Sequence, residues 1–541
     1  MNHKKPKQSY TTMNALVTMF LLLMFAAFPL FVSIYLDGQF PFIHFDDGFI
    51  GIRHQKFYFF IAIAALALIA ELMLLLTGVS RDKEKKTEQK AFWKTLSFTD
   101  WAAAALALSC ALSTLFSPYI SLAFWGEMNL GGFSVGRNNG LFLILFYVAV
   151  YFMLSRLFRF REVIFVALAA SSSIVSLLTV LNGFYIDPLN MLAQFKDSQP
   201  GVYMEFFATI GNKNMLASFI CVTLPVSFVM SVLTESLWKR ALYITATALG
   251  MMAMIIGDSD SALLGSAVFL AVMLVAFARR PDRLKRFFLA LTVMAASVLL
   301  LRLFSHALND NYKELGDLTK VLLFSDKVIF VTLGGAVITA LLYLLDRKKP
   351  DMLLPKAVPV VLGALFGGAA IAAFGVFIYF SAIDTSADLG SMEKLLRMND
   401  AWGTHRGIMW LRSFKIFSEA NVWQKLFGMG PDTFYFAFEP YFKELEEYGN
   451  SSTDAAHNEY INYLITIGAA GLLSYLAFTG SALVRGLKNA KAQPYVLPCC
   501  AAVIAYLAQA TVNIALPIST PLFIIFVSLC EAFARQAKEK E

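Results

Sequence analysis

Apolar runs of membrane-spanning length recur along this chain, separated by short polar stretches that carry most of its charge. They cover 14–36, 57–79, 101–116, 141–158, 163–185, 215–233, 241–256, 262–278, 287–301, 328–345, 357–380, 460–484, 495–516 and 519–534. At about 20 residues per span, this pattern predicts fourteen transmembrane helices, with 12 to 14 as the range because the runs starting at Trp101, Ala241, Phe287 and Ser519 are short. One long polar interruption, 381–457, stands apart. The expected organisation is one integrated all-α polytopic unit: eleven helices within 1–380, a long loop at 381–457 with amphipathic helices, and three helices within 458–541.

Composition agrees with the pattern. Hydrophobic residues make up 58% of the chain, charged residues 15%, and mean hydropathy is +0.63, far from soluble proteins. The bilayer is therefore an expected partner and nucleic acid is not. The formal charge of +7 matters less than its placement. Alternate loops are basic, including Arg279, Arg280, Arg283, Lys285 and Arg286 in one and Arg347, Lys348, Lys349 and Lys356 in another. The positive-inside rule then puts both termini in the cytoplasm and the long loop outside. Lys4, Lys5 and Lys7 precede a first run too long for a signal sequence, with no small-residue cleavage site after it, so this run reads as a retained span. The five cysteines lie inside apolar runs without metal-ligand spacing and read as packing residues.

Within the long loop, Arg406 to Ala420 carries apolar Ile408, Met409, Trp410, Leu411, Phe414, Ile416 and Phe417, the pattern of an amphipathic helix on the bilayer or on the bundle. Gly428, Gly430 and Pro431 break it. The aromatic stretch that follows, Phe434 to Phe442, suits interface anchoring or the stacking of a sugar or lipid.

Four clusters at the ends of spans bear candidate chemistry. Arg137 in Gly136-Arg137-Asn138-Asn139-Gly140 and Arg406 in His405-Arg406-Gly407 are cations where positive charge is disfavoured, and a guanidinium binds phosphate through two parallel hydrogen bonds. A headgroup contact or an ordinary ion pair would also account for each. Lys213, between Asn212 and Asn214, either joins this group or sits in a turn closed by the asparagine side chains. His457, with Asp454 before it and Asn458 beside it, opens a span. Were 454–457 helical, Asp454 would share its face and could orient the imidazole as a base, the alternative being a helix-capping histidine.

Asp258-Ser259-Asp260 resembles a metal-holding DxD, but a turn with Ser259 or Asp260 capping the next helix explains it equally. Glu71 is costly inside a span unless it faces the bundle or water. Asn182, Gln509 and Asn513 read as interhelical contacts.

Taken in order, these motifs resemble the bacterial O-antigen ligase and polymerase superfamily. The pieces are Arg137 to Gly140, Gly211-Asn212-Lys213-Asn214 through Ala217, Arg406-Gly407 with Trp410, Gly428-Met429-Gly430-Pro431, and His457-Asn458-Glu459-Tyr460 leading to Gly468 through Leu472. The resemblance implies a type C glycosyltransferase-like fold in the bacterial cytoplasmic membrane, with an extracytoplasmic site under the long loop. It further implies a metal-independent, inverting transfer of glycan from a polyprenyl (undecaprenyl) diphosphate carrier to an acceptor hydroxyl on a glycan, lipid or protein, in cell-surface polysaccharide biosynthesis. No cofactor is implied. On that basis Arg137, Arg406 and Lys213 would meet the diphosphate, His457 would serve as base and Asp454 would orient it. Asn212, Asn214, Asn458, Asp258 and Asp260 would support them. Members often carry Ser-Arg where this chain has Ser259-Asp260, which shifts that cation's work to Arg137, Lys213 or Arg406.

Ligase, repeat-unit polymerase and protein O-oligosaccharyltransferase share this donor and differ in the nucleophile. A flippase for lipid-linked oligosaccharides is the reading from another class, but such transporters usually have related halves, and none is visible here.

Overall fold

A computed structural model describes residues 8–32, 34–36, 41–43, 49–77, 95–197 and 199–538. The basic residues Lys4, Lys5 and Lys7 lie outside the described residues. Fourteen helices follow the apolar runs: α1 (Gln8–Leu22), α2 (Phe49–Leu76), α3 (Phe98–Leu115), α4 (Leu141–Leu157), α5 (Val163–Gly183), α6 (Lys213–Leu233) and α7 (Leu237–Ile256). The series continues with α8 (Asp260–Phe277), α9 (Pro281–Ala307), α10 (Lys327–Lys348), α11 (Ala357–Ile378), α12 (Gly468–Asn489), α13 (Leu497–Gln509) and α14 (Thr520–Lys538). Among the described residues, twelve helices are long and apolar enough to cross a membrane, and two shorter apolar helices, Thr12–Ala27 and Leu141–Leu157, occupy the first and fourth expected spans. The short run expected at 287–301 is the middle of the long α9, which starts at Pro281 with the charged residues Asp282, Arg283, Lys285 and Arg286 before the run.

In a bilayer core a backbone must satisfy its own hydrogen bonds, so uncharged apolar runs become helices. Packing then sorts them. α6 is buried along its whole length, whereas α11 has no buried residue. One end of the bundle is pinned by charge: buried Asp100 caps α3 with Ser97 and accepts hydrogen bonds from Tyr151 and Arg535, while buried Glu531 pairs with Arg485 and Arg535. Asn182 accepts from the Ala208 amide, and Asn513 donates to the Asn214 carbonyl and Ser218, joining elements distant in sequence. All five cysteines are buried and unbridged.

The run expected as one helix over 460–484 is broken. A short helix, Glu459–Thr466, is followed by a bend at Ile467–Gly468 before α12 begins. Gly468 has φ +69°, and a Cβ there would lie 2.4 Å from the Leu426 carbonyl group. The break is needed because the end of the loop helix Val422–Phe427 seats its backbone directly against this turn, and Gly428 meets the Thr466 carbonyl just as closely.

The long loop has its own small core. The face Ile408, Met409 and Trp410 of helix Trp402–Glu419 packs on Phe434, Phe438, Leu445, Ala456, Ile461 and Ile465. Phe434 and Phe438 are thus internal packing residues, while Phe436 stacks on Tyr119 at 3.9 Å between ring centres.

Candidate functional site

The site residues gather at the end of the bundle opposite the Asp100 cluster, where the long loop folds over the starts of α2, α4, α6 and α8. Buried Asp432, directly after the Gly-Met-Gly-Pro turn, accepts the backbone amides of Arg137 (2.7 Å) and Asn139 (2.8 Å) on one oxygen. It thereby fixes the loop before α4 to the long loop, while the Asn139 side chain ties the same loop to the α13–α14 connection by donating to the Ala515 carbonyl. Burial pushes the Asp432 carboxyl up to about 6 against the pull of those two amides.

Held this way, the Arg137 guanidinium meets Asp454, with Nε 2.8 Å from Oδ1. This differs from the expected pairing of Asp454 with His457. Residues 454–457 are not helical. The helix begins at Glu459, with Asn458 as its cap, accepting the amides of Tyr460 and Ile461. His457 lies in the bend before that cap at φ +50°, next to Ala456, whose carbonyl is held by Trp410.

Burial first, and then the like charges of Arg137 and Arg406, depress His457 to about 3, only partly opposed by Asp454. The imidazole is therefore neutral at pH 7 and feels both arginines at once.

Arg406 starts the regular part of its helix after three consecutive left-handed residues, Gly403, Thr404 and His405. Such a run is strained for a β-branched residue, and the loop core around Trp410 holds it in place. Burial lowers the Arg406 pKa, and Asp260 opposes that shift as its one charged neighbour of consequence. Asp260 thus lies near enough to a cation supplied from the long loop for their charges to act on each other.

Other expected residues take structural positions. Asn212 caps α6 by accepting the amides of Asn214 and Met215. Lys213 Nζ lies 3.9 Å from Asp258 and is well exposed. Asp258, at φ +48°, accepts the Gly316 amide at 2.9 Å and the Thr319 hydroxyl, tying the turn before α8 to the start of the helix Asp317–Phe324. Ser259 occupies the cap position of α8 but makes no capping hydrogen bond with its side chain. The DxD-like triplet therefore forms a turn, and the expected side-chain cap on α8 is not made by Ser259.

The sequence assigns no role to three residues that the structure brings to the site, although one of them, Glu459, stands in the His457-Asn458-Glu459-Tyr460 motif. Asp432 was one acid among many in the loop. Arg53 lay in a polar segment before the second run, as much a lone cation as Arg137, and that signal was available. Glu459 is buried and accepts from Tyr475 (2.6 Å) and Tyr506 (3.1 Å), with burial pushing its carboxyl up to about 7. With Arg137, Asn139 and Asp432 it lines a small enclosed cavity beneath the loop.

The fold defines an all-α polytopic membrane protein. Its residues 315–476, from the loop after α9 through the long loop and into α12, match the family model described as O-Antigen ligase. This match supports the O-antigen ligase and polymerase superfamily, and a ligase- or polymerase-type glycosyltransferase role in cell-surface polysaccharide synthesis. The matched segment includes Arg406, Asp454, His457 and Asn458, whereas Arg137, Asn212, Lys213, Asn214, Asp258 and Asp260 lie before it. No curated protein matches the chain.

Proposed function

We propose that this chain transfers a glycan from a polyprenyl diphosphate to an acceptor hydroxyl at the extracytoplasmic face of the bacterial cytoplasmic membrane. The observation that carries this reading is the Arg137–Asp454 pair, which brings the loop before α4 against the end of the long loop three residues before His457, close enough that Arg137 and Arg406 both act on the imidazole. The acceptor oxygen would attack the anomeric carbon as the bond to the diphosphate oxygen breaks, inverting that centre. The acceptor proton would pass to His457. Arg137 and Arg406 would stabilise the charge growing on the leaving diphosphate, the part of the reaction where preorganised cations lower the barrier most directly. No metal is then required for that task.

A conjugate acid near 3 makes His457 a weak base even with Asp454 on Arg137. A bound diphosphate adds negative charge beside both arginines, so its arrival raises the basicity of the imidazole it needs. Asp454 contributes by holding Arg137 in position rather than by turning the imidazole. Lys213, shared with Asp258, stands further from this centre of charge and assists from the side.

The test is the length of lipid-linked glycans accumulating in cells whose only copy carries Arg406→Ala, read by mass spectrometry of extracted polyprenyl diphosphates. Long chains of many repeats identify a ligase, or a protein O-oligosaccharyltransferase, whose transfer step is blocked. Single repeats identify a polymerase, or a flippase if they remain on the cytoplasmic leaflet. Full transfer by both Arg406→Ala and His457→Ala would overturn the assignment.

A further inference from the structure

We propose that Arg53 is a third diphosphate-binding cation, presenting a free guanidinium N–H to the donor beside Arg137; this rests on the donor reading above. Arg53 lies near the start of α2 and is only 6% exposed. Its Nε donates to Asn138 Oδ1 at 2.9 Å, in the residue next to Arg137. Among the described residues, its buried Nη2 has no hydrogen-bond acceptor. The nearest described carboxylate, Glu127, lies 3.8 Å from that nitrogen, an ion pair beyond hydrogen-bond reach.

Glu127 is also already engaged. One of its oxygens takes His54 Nε2 at 2.7 Å and the Ser134 hydroxyl, and the other takes the Asn138 amide at 3.2 Å. These bonds hold Glu127 where it steadies the loop without closing on Arg53. The charges that act on Arg53 are those of Asp454, Arg137, Asp432 and Glu127, mostly the groups that build the Arg137 site.

A buried charged donor left without an acceptor loses its hydration and gains nothing in exchange. A diphosphate, with several acceptor oxygens, supplies the acceptor that this N–H lacks, and it is the group that must be held as it leaves.

The experiment measures binding of undecaprenyl diphosphate and, separately, undecaprenyl monophosphate to the purified full-length protein. Arg53→Gln is expected to weaken diphosphate binding by about tenfold or more, the scale of one lost charge-assisted hydrogen bond, while monophosphate binding changes by less than about threefold. Asn138→Ala, which removes the Nε contact and the Asn138 bond to Glu127 but keeps the Arg53 charge and its Nη2 donor, should have the smaller effect on diphosphate. Equal diphosphate binding by Arg53→Gln and wild type would overturn Arg53's role and leave the donor reading standing. So would an equal loss of both lipids that Asn138→Ala reproduces in full, since Arg53 would then only steady the loop. Wild-type protein that binds neither lipid overturns both readings. Should Arg53→Gln fail to fold, Arg53→Lys keeps the buried charge and removes the forked donor, and the same selective loss of diphosphate binding is required of it.

Discussion

Replacing His457 with glutamine tests the electrostatics at the centre of the site. The folded protein holds this imidazole at about 3, against an ordinary value of 6.5, through burial and the charges of Arg137 and Arg406. A histidine depressed in this way takes up its proton on unfolding. Its contribution is intact above about 6.5 and is lost progressively as pH falls, until the folded form protonates near 3. Between pH 7 and pH 5 the shift corresponds to about 2 kcal/mol, and the partial solvent contact of the ring brings the expected figure to about 1–2 kcal/mol.

Asp432 and Glu459 act in the opposite sense. Their raised values, about 6 and about 7, make the folded state bind protons more readily and add stability as pH falls through that range. The wild-type profile is therefore a sum, and the informative quantity is the difference between wild type and His457→Gln. Equilibrium unfolding of the detergent-solubilised proteins should show the variant gaining about 1–2 kcal/mol relative to wild type on going from pH 7 to pH 5. Arg406→Gln, which removes one of the two repelling charges, should shrink that gain when made in both backgrounds. Parallel pH profiles for wild type and His457→Gln would refute the account of a histidine held neutral by burial and two arginines.

Gly468→Ala should destabilise the junction of the long loop with α12 by several kcal/mol or prevent accumulation of the protein, because the new Cβ would lie 2.4 Å from the Leu426 backbone at φ +69°; Gly480→Ala, with nothing within 4 Å in the same helix, should be neutral or stabilising by up to about 1 kcal/mol in the same unfolding assay. Asp432→Ala leaves the Arg137 and Asn139 amides without their acceptor and should cost roughly 1–3 kcal/mol for each buried donor, with transfer activity falling as Arg137 loses its mooring; Asp432→Asn, which keeps an acceptor oxygen, should retain most of the stability. Glu531→Gln breaks a buried pair with Arg485 and Arg535 and should cost about 3–5 kcal/mol in unfolding, while the portion that remains folded transfers glycan with an unchanged KM, since this cluster is at the end of the bundle away from the site.

The order and extent of the long helices were legible from the chain alone. Some twenty apolar residues without charge have one stable form in a bilayer, because each amide and carbonyl must find its partner inside the segment. An amphipathic helix in the long loop was likewise legible, but its buried part is Ile408, Met409 and Trp410 on a core of the loop's own, while Leu411 and Phe414 of the expected face stay exposed. Hydropathy could not show the break at Gly468, since that turn exists to admit the backbone of Leu426 from another segment.

The pairings within the site were decided only by tertiary structure. Asp454 is three residues from His457, yet its oxygen goes to Arg137, and Asp258, two residues from Asp260, accepts the Gly316 amide and the Thr319 hydroxyl. Local periodicity says which side chains share a face of one element. It carries no information about which charge another element will bring to that face, and electrostatic energy depends on that distance in space rather than on separation along the chain.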